Sequence, residues 1–141
     1  MSISPLYTTR ATATGGREGR AAVEDGTLAV ALVTPKELGG AGGDGTNPEQ
    51  LFAAGYAACF LSALKAVARM EKVKVSDEST ATAEVTIGKR EDGGFGLKVG
   101  MTVTLPGIDD AQADDLIAKA HQVCPYSHAT RGNIEVTVGR G

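Results

Sequence analysis

"NPEQLFAAGYAACFLSALKAVARM", residues 47–70, predicts one long helix that runs to about Met70 or Glu71, and the fold turns on that segment. Asn47 is a capping residue, Pro48 suits the first helical position, and Glu49 sets a negative charge at the positive end of the helix dipole. Basic side chains return only at Lys65, Arg69 and Lys72. Before them the segment is apolar all round, so its first turns must be enclosed by protein. Cys59 lies mid-helix among alanine and glycine. A buried cysteine is usually an inert small hydrophobe, so the question is what would arm this one.

The flanking segments alternate. On the N-terminal side, "LYTTRATAT" (6–14) predicts a strand and "GGREGR" a glycine-permitted turn. "RAAVEDG" and "TLAVALVT" predict two more strands joined by the hairpin signal Asp25-Gly26. The loop "PKELGGAGGDGTNP" then leads into the helix. On the C-terminal side, "STATAEVTIGKR" (79–90) and "FGLKVGMTVTLP" predict a hairpin turned by "EDGG". Asp109 and Asp110 open a second helix with Leu116, Ile117, Ala120 and Cys124 on one stripe, ending before Pro125. "CPYSHATRGN" predicts a turn or helical turn, and "IEVTVGR" a last strand. The order βββ-α-ββ-α-β, with no repeat and no dividing linker, predicts one α+β domain over residues 1–141.

Composition bounds the function. The chain has 141 residues, 42 % hydrophobic and 22 % charged, as a globular protein with a core of its own requires. A net charge of −3 and a 4 % aromatic share give no basic, aromatic-interleaved surface for nucleic acid. The uncharged run Gln50–Leu64 is shorter than the roughly 20 residues of a membrane span. "MSISPLYTTRATAT" has neither a basic n-region nor an apolar h-region, so no signal peptide is expected. The expected compartment is the cytoplasm, where two cysteines read as free, redox-active or metal-binding.

Several candidate sites stand beside plainer readings. The glycine loop lacks the Gly-Lys-Ser/Thr of a phosphate-binding loop and reads as a connector. Cys59, His121, Cys124 and His128 could be gathered around zinc, but close ligand pairs such as C-x₂-C are missing. His121 and His128 read as a polar-face residue and a surface loop residue. Arg17 and Arg20 alone would be a solvated turn, and Glu49 a helix N-terminal charge. The two thiols shift this balance. Cys124, at a helix end and before a proline, meets the dipole and N–H groups that favour a thiolate. Cys59 in an apolar box needs a cation to ionise, because burial raises a thiol's pKa. An arginine held by a carboxylate fork supplies one that cannot be deprotonated.

"TATGGREG", "PKELGGAGGDGTNPEQLFAAGYAACF" and "VCPYSHATRGNIEV" together resemble the organic hydroperoxide resistance proteins of the OsmC/Ohr family, over essentially the whole chain. The resemblance implies Cys59 as peroxidatic and Cys124 as resolving cysteine, with Arg17 and Glu49 as the ion pair of the site. Ser127-His128 stands where the family has Ser-Asn, a local departure that leaves both thiols in place. It further implies antiparallel sheets around long central helices in an intertwined homodimer. The implied activity is reduction of alkyl and fatty-acid hydroperoxides with no bound cofactor, a dihydrolipoyl group of a lipoylated protein or dihydrolipoamide being the external reductant. Phe52, Ala53, Tyr56 and Phe60 offer apolar surface for an alkyl chain. Two other readings stay open: an OsmC-type peroxidase of the same fold, and a non-catalytic apolar-ligand or zinc-binding stress protein.

Overall fold

The computed structural model describes residues 2–141. Where the sequence predicts one domain, the internal contacts fall into two compact units, the first reaching to Pro48 and the second spanning Glu49–Gly141. The division falls at the end of the glycine-rich loop, a stretch whose composition suits a connector better than a core.

The first unit is a three-stranded antiparallel sheet of β1 (Ala11–Thr14), β2 (Arg20–Val23) and β3 (Ala29–Ala31). A 3-10 turn, Gly16–Glu18, joins β1 to β2 and carries Arg17. Gly19, which closes that turn, is required by space, since a Cβ there would stand 1.7 Å from the Thr14 carbonyl oxygen. Asp25 Oδ1 accepts from Thr27 N at 3.0 Å and Thr27 Oγ1 at 2.7 Å and organises the β2–β3 turn. The expected first strand over 6–14 is shorter in the structure. Its register starts at Ala11↔Val23, and residues 6–10 find no ladder partner.

The second unit holds β4 (Thr80–Lys89), β5 (Phe95–Thr104) and β6 (Val136–Arg140), with α1 (Pro48–Met70, its first residue at the boundary), α2 (Asp110–Val123) and α3 (Pro125–Thr130). β4 and β5 form the antiparallel hairpin, Thr80 pairing with Thr104 and Lys89 with Phe95. One pair departs from the antiparallel expectation: β6 runs parallel to β5, Val99 opposite Val136. The chain leaves β5 and returns through two helices, and a crossover of that length is what a parallel pair needs. On β5, Val99, Met101 and Val103 are buried and alternate with exposed Lys98, Thr102 and Thr104, the period-two signature of a one-sided sheet. They join Tyr56, Phe60 and Leu64 of α1 and Leu116, Ile117 and Ala120 of α2 in one core.

By length and composition alone, α1 is long and apolar enough to cross a membrane. Its stripe of Tyr56, Phe60, Ala63, Leu64 and Val67 instead fills the core of the second unit, as a core helix does.

Candidate active site

The unbroken α1 carries Cys59 at the margin of its buried stripe, one turn from Tyr56 and beside Phe60. The thiol is half-buried. Cys124 is the single residue between α2 and α3, closing the first and opening the second. Its N–H donates to the Ala120 carbonyl at 2.8 Å, and its own carbonyl accepts from His128 N at 3.0 Å. Pro125 then occupies the first position of α3, where a missing N–H costs nothing. This double cap leaves Cys124 fully buried, and its Sγ lies 3.6 Å from Cys59 Sγ. Both cysteines are free thiols. A disulfide needs about 2.05 Å, so the two sulfurs are one small approach from bonding.

Burial is the largest influence on Cys59 and pushes its pKa up; the Tyr126 backbone N–H opposes this, and neighbouring Cys124 adds to the rise. The Tyr126 donor exists because a helix leaves its first N–H groups without internal partners. Since Pro125 has none, Tyr126 supplies the first of α3. The balance remains upward, so these groups alone do not make Cys59 an acidic thiol.

Around the thiols runs a set of hydroxyl contacts that the sequence did not announce. Ser127 Oγ lies 2.8 Å from Tyr56 Oη and 2.8 Å from His121 Nδ1. Thr130 Oγ1 donates to the Ser127 carbonyl at 3.1 Å and stands 3.4 Å from Tyr56 Oη. The Arg131 guanidinium donates to the His121 carbonyl, one of the acceptors that the last turn of α2 leaves open. Burial and, secondarily, the Arg131 charge lower the His121 pKa, which favours the neutral ring. The visible signal was the three-residue spacing of Cys124, Ser127 and Thr130, which puts all three on one face of α3.

An aromatic cluster lies beside them. Phe52 meets Tyr56 edge-on at 5.9 Å, and Tyr126 stands 6.0 Å from Phe52 and 5.8 Å from Tyr56. Gly55 admits the Tyr126 ring to α1, since a Cβ there would lie 3.1 Å from its hydroxyl.

Of the residues expected to face an alkyl chain, Tyr56 and Phe60 are fully buried within the chain. Ala53 and Phe52 are half-buried, and exposed Tyr126, which the sequence did not single out, joins Phe52 at the surface. Glu49 sits in the first turn of α1. At 1.5 Å per residue it lies about 15 Å from Cys59 along the same helix. Arg17 belongs to the first unit, the thiols to the second. His121 is half-buried against Phe60, and His128 is exposed on helix α3 rather than in a loop. Among the described residues no three His, Cys, Asp or Glu side chains cluster as a metal site.

Comparison with known proteins places this geometry among relatives. The family model for OsmC-like proteins matches residues 40–139. An organic hydroperoxide resistance protein of Xanthomonas axonopodis pv. citri (strain 306) is 61 % identical over 133 residues, 94 % of this chain and 93 % of that protein. The organic hydroperoxide resistance protein OhrA of Bacillus subtilis (strain 168) is 49 % identical over 140 residues, 95 % of each. The crystal structure of an organic hydroperoxide resistance protein from Elizabethkingia anophelis matches with a TM-score of 0.93 at 54 % identity, covering 99 % of both chains.

Proposed function

The chain belongs to the OsmC/Ohr family, and from that premise we propose that it is a cytoplasmic, cysteine-based peroxidase that reduces organic hydroperoxides to alcohols. The observation that carries this reading is the pair of free thiols 3.6 Å apart, one reachable and one sealed. The Cys59 thiolate attacks the distal peroxide oxygen. The O–O bond breaks, and the alkoxide takes a proton and leaves as the alcohol. Cys59 is now a sulfenic acid. Cys124 attacks its sulfur, the S–S bond forms, the S–O bond breaks, and the oxygen departs as water with the Cys124 proton. A dihydrolipoyl dithiol reduces the disulfide by exchange and is itself oxidised to its cyclic disulfide. Nothing in this cycle calls for a bound cofactor.

Burial holds the Cys59 pKa up, so a fixed positive charge is needed to hold the thiolate. Arg17 is that charge in our reading, with Glu49 as its carboxylate partner. The 15 Å or so between Glu49 and Cys59 on one helix then requires that the ion pair come from a second chain. Support for a homodimer lies in what one chain leaves uncovered. Ile3 and Tyr7 are 83 % exposed and Leu6 100 %, every residue of β1 is exposed, and so are Ala54 and Ala58 of the apolar α1. Phe52 and Tyr126 would meet the alkyl chain, with Tyr56 and Phe60 behind them.

The test is steady-state turnover of tert-butyl and fatty-acid hydroperoxides with dihydrolipoamide or glutathione as reductant. Turnover with the dithiol and little with glutathione is expected. No turnover with either reductant overturns the peroxidase.

A further inference from the structure

Helix α3 is six residues long, far below the length at which a helix holds itself together in water. Its position must therefore be set by bonds to its neighbours. Those bonds meet at one oxygen. Ser127 Oγ bridges Tyr56 of α1 and His121 of α2, both at 2.8 Å, and Ser127 is fully buried. Two short contacts to two different helices fix α3 both in rotation about its axis and in position along it. The Arg131 contact to the His121 carbonyl ties the far end of α3 to the same residue. Ser127 lies three residues after Cys124, on the same face, so whatever orients one orients the other.

The proton count closes in two ways. Thr130 gives its hydroxyl proton to the Ser127 carbonyl. Tyr56 can donate to Ser127 and Ser127 to His121 Nδ1; alternatively His121 Nδ1–H donates to Ser127, Ser127 to Tyr56, and Tyr56 to Thr130. Either chain leaves no buried hydroxyl proton idle, and a neutral His121 serves both. Truncating Ser127 would strand two polar groups, whereas removing the Tyr56 hydroxyl breaks the bridge to α1 alone.

We propose that Tyr56, Ser127 and His121 are positioning residues that hold α3 so that Cys124 and the Tyr126 N–H both bear on Cys59. This rests on the peroxidase reading above but concerns the thiols before any peroxide arrives. The bridge holds the N–H donor against the Cys59 sulfur and the resolving thiol within reach of it. Without the bridge α3 loses its seat, and Cys59 loses a donor that favours its charged form.

The experiment takes full-length protein with Cys124→Ser, so that Cys59 is the sole thiol, alone and combined with Tyr56→Phe or Ser127→Ala. The rate of Cys59 alkylation by iodoacetamide is followed against pH. Both combined variants are expected to shift the profile upward and to slow alkylation at neutral pH about tenfold, the worth of one hydrogen bond to a charged group. In the two-cysteine protein, disulfide formation after one equivalent of hydroperoxide should slow as well. If melting temperature falls while the alkylation profile and disulfide rate match the parent, the three residues are merely structural and the proposal fails. Should Ser127→Ala not fold, Tyr56→Phe, which loses one oxygen, decides. Alkylation needs no peroxide. A protein that turns over hydroperoxide with an unmoved profile sinks this inference alone, and one with the shifted profile but no turnover sinks only the peroxidase.

Discussion

Cys59 is half-buried and Cys124 fully buried, 3.6 Å away. In the peroxidase we propose, a hydroperoxide arriving from solvent would reach the first and be kept from the second. Cys59→Ser should therefore abolish hydroperoxide consumption. Cys124→Ser should react once and then drift to sulfinic and sulfonic acid, because nothing intercepts the sulfenic acid. In the intact protein, mass spectrometry after one equivalent should find oxidation first at Cys59, and non-reducing gels should show monomers. Oxidation first at Cys124, or a predominant covalent dimer, would reverse the assignment. The thiols were open to notice in the sequence because the chain has only two cysteines, but their approach to 3.6 Å is a product of the fold. Ser127 and His121 were not, since a hydroxyl becomes structural only by what meets it, and both its partners come from other helices.

Among the elements, α1 was the most legible. Its capping residue, its proline and its apolar run all argue for one start, with an end expected at about Met70 or Glu71, and the structure gives Pro48–Met70. Strand β1 was over-read, since alternation over 6–14 states a preference while a ladder needs an opposite strand, and β2 is only four residues long. The parallel seat of β6 was hidden because alternation does not record direction. Gly55 shows how an element's sequence can serve its neighbour. An alanine there would stiffen α1 by roughly 1 kcal/mol, since glycine is the poorer helix former. Its Cβ, however, would press on the end of the Tyr126 ring, 3.1 Å away, and that ring is 40 % exposed and free to swing outward. Gly55→Ala should then raise the melting temperature by roughly 2–5 °C while slowing disulfide formation, because Tyr126 carries the N–H that faces Cys59. Thermal melting and stopped-flow disulfide kinetics check the two halves. A lower melting temperature means the ring cannot yield; an unchanged rate means that its position is not coupled to the thiols.

For the whole molecule, the unbroken α1 sets a constraint that no local adjustment relieves. Glu49 and Cys59 sit on one rigid helix about 15 Å apart along its axis, so in the site we propose, the carboxylate that orients an arginine at Cys59 comes from a second chain. Two-fold pairing with the long helices antiparallel brings one chain's Glu49 towards the other's Cys59, and an isologous interface does this twice. Each site would then take both thiols from one chain, and Arg17 and Glu49 from the other. The deciding measurement co-expresses two inactive variants, Cys59→Ser and Arg17→Ala, under different tags and purifies the mixed dimer by both. In that dimer the surviving Cys59 belongs to the chain without Arg17. It meets an intact arginine only if the partner supplies one. The mixed dimer should recover about half of wild-type turnover, one working site of two. Activity as low as that of the Arg17→Ala homodimer would mean that the arginine serves its own chain, and the shared site would be wrong.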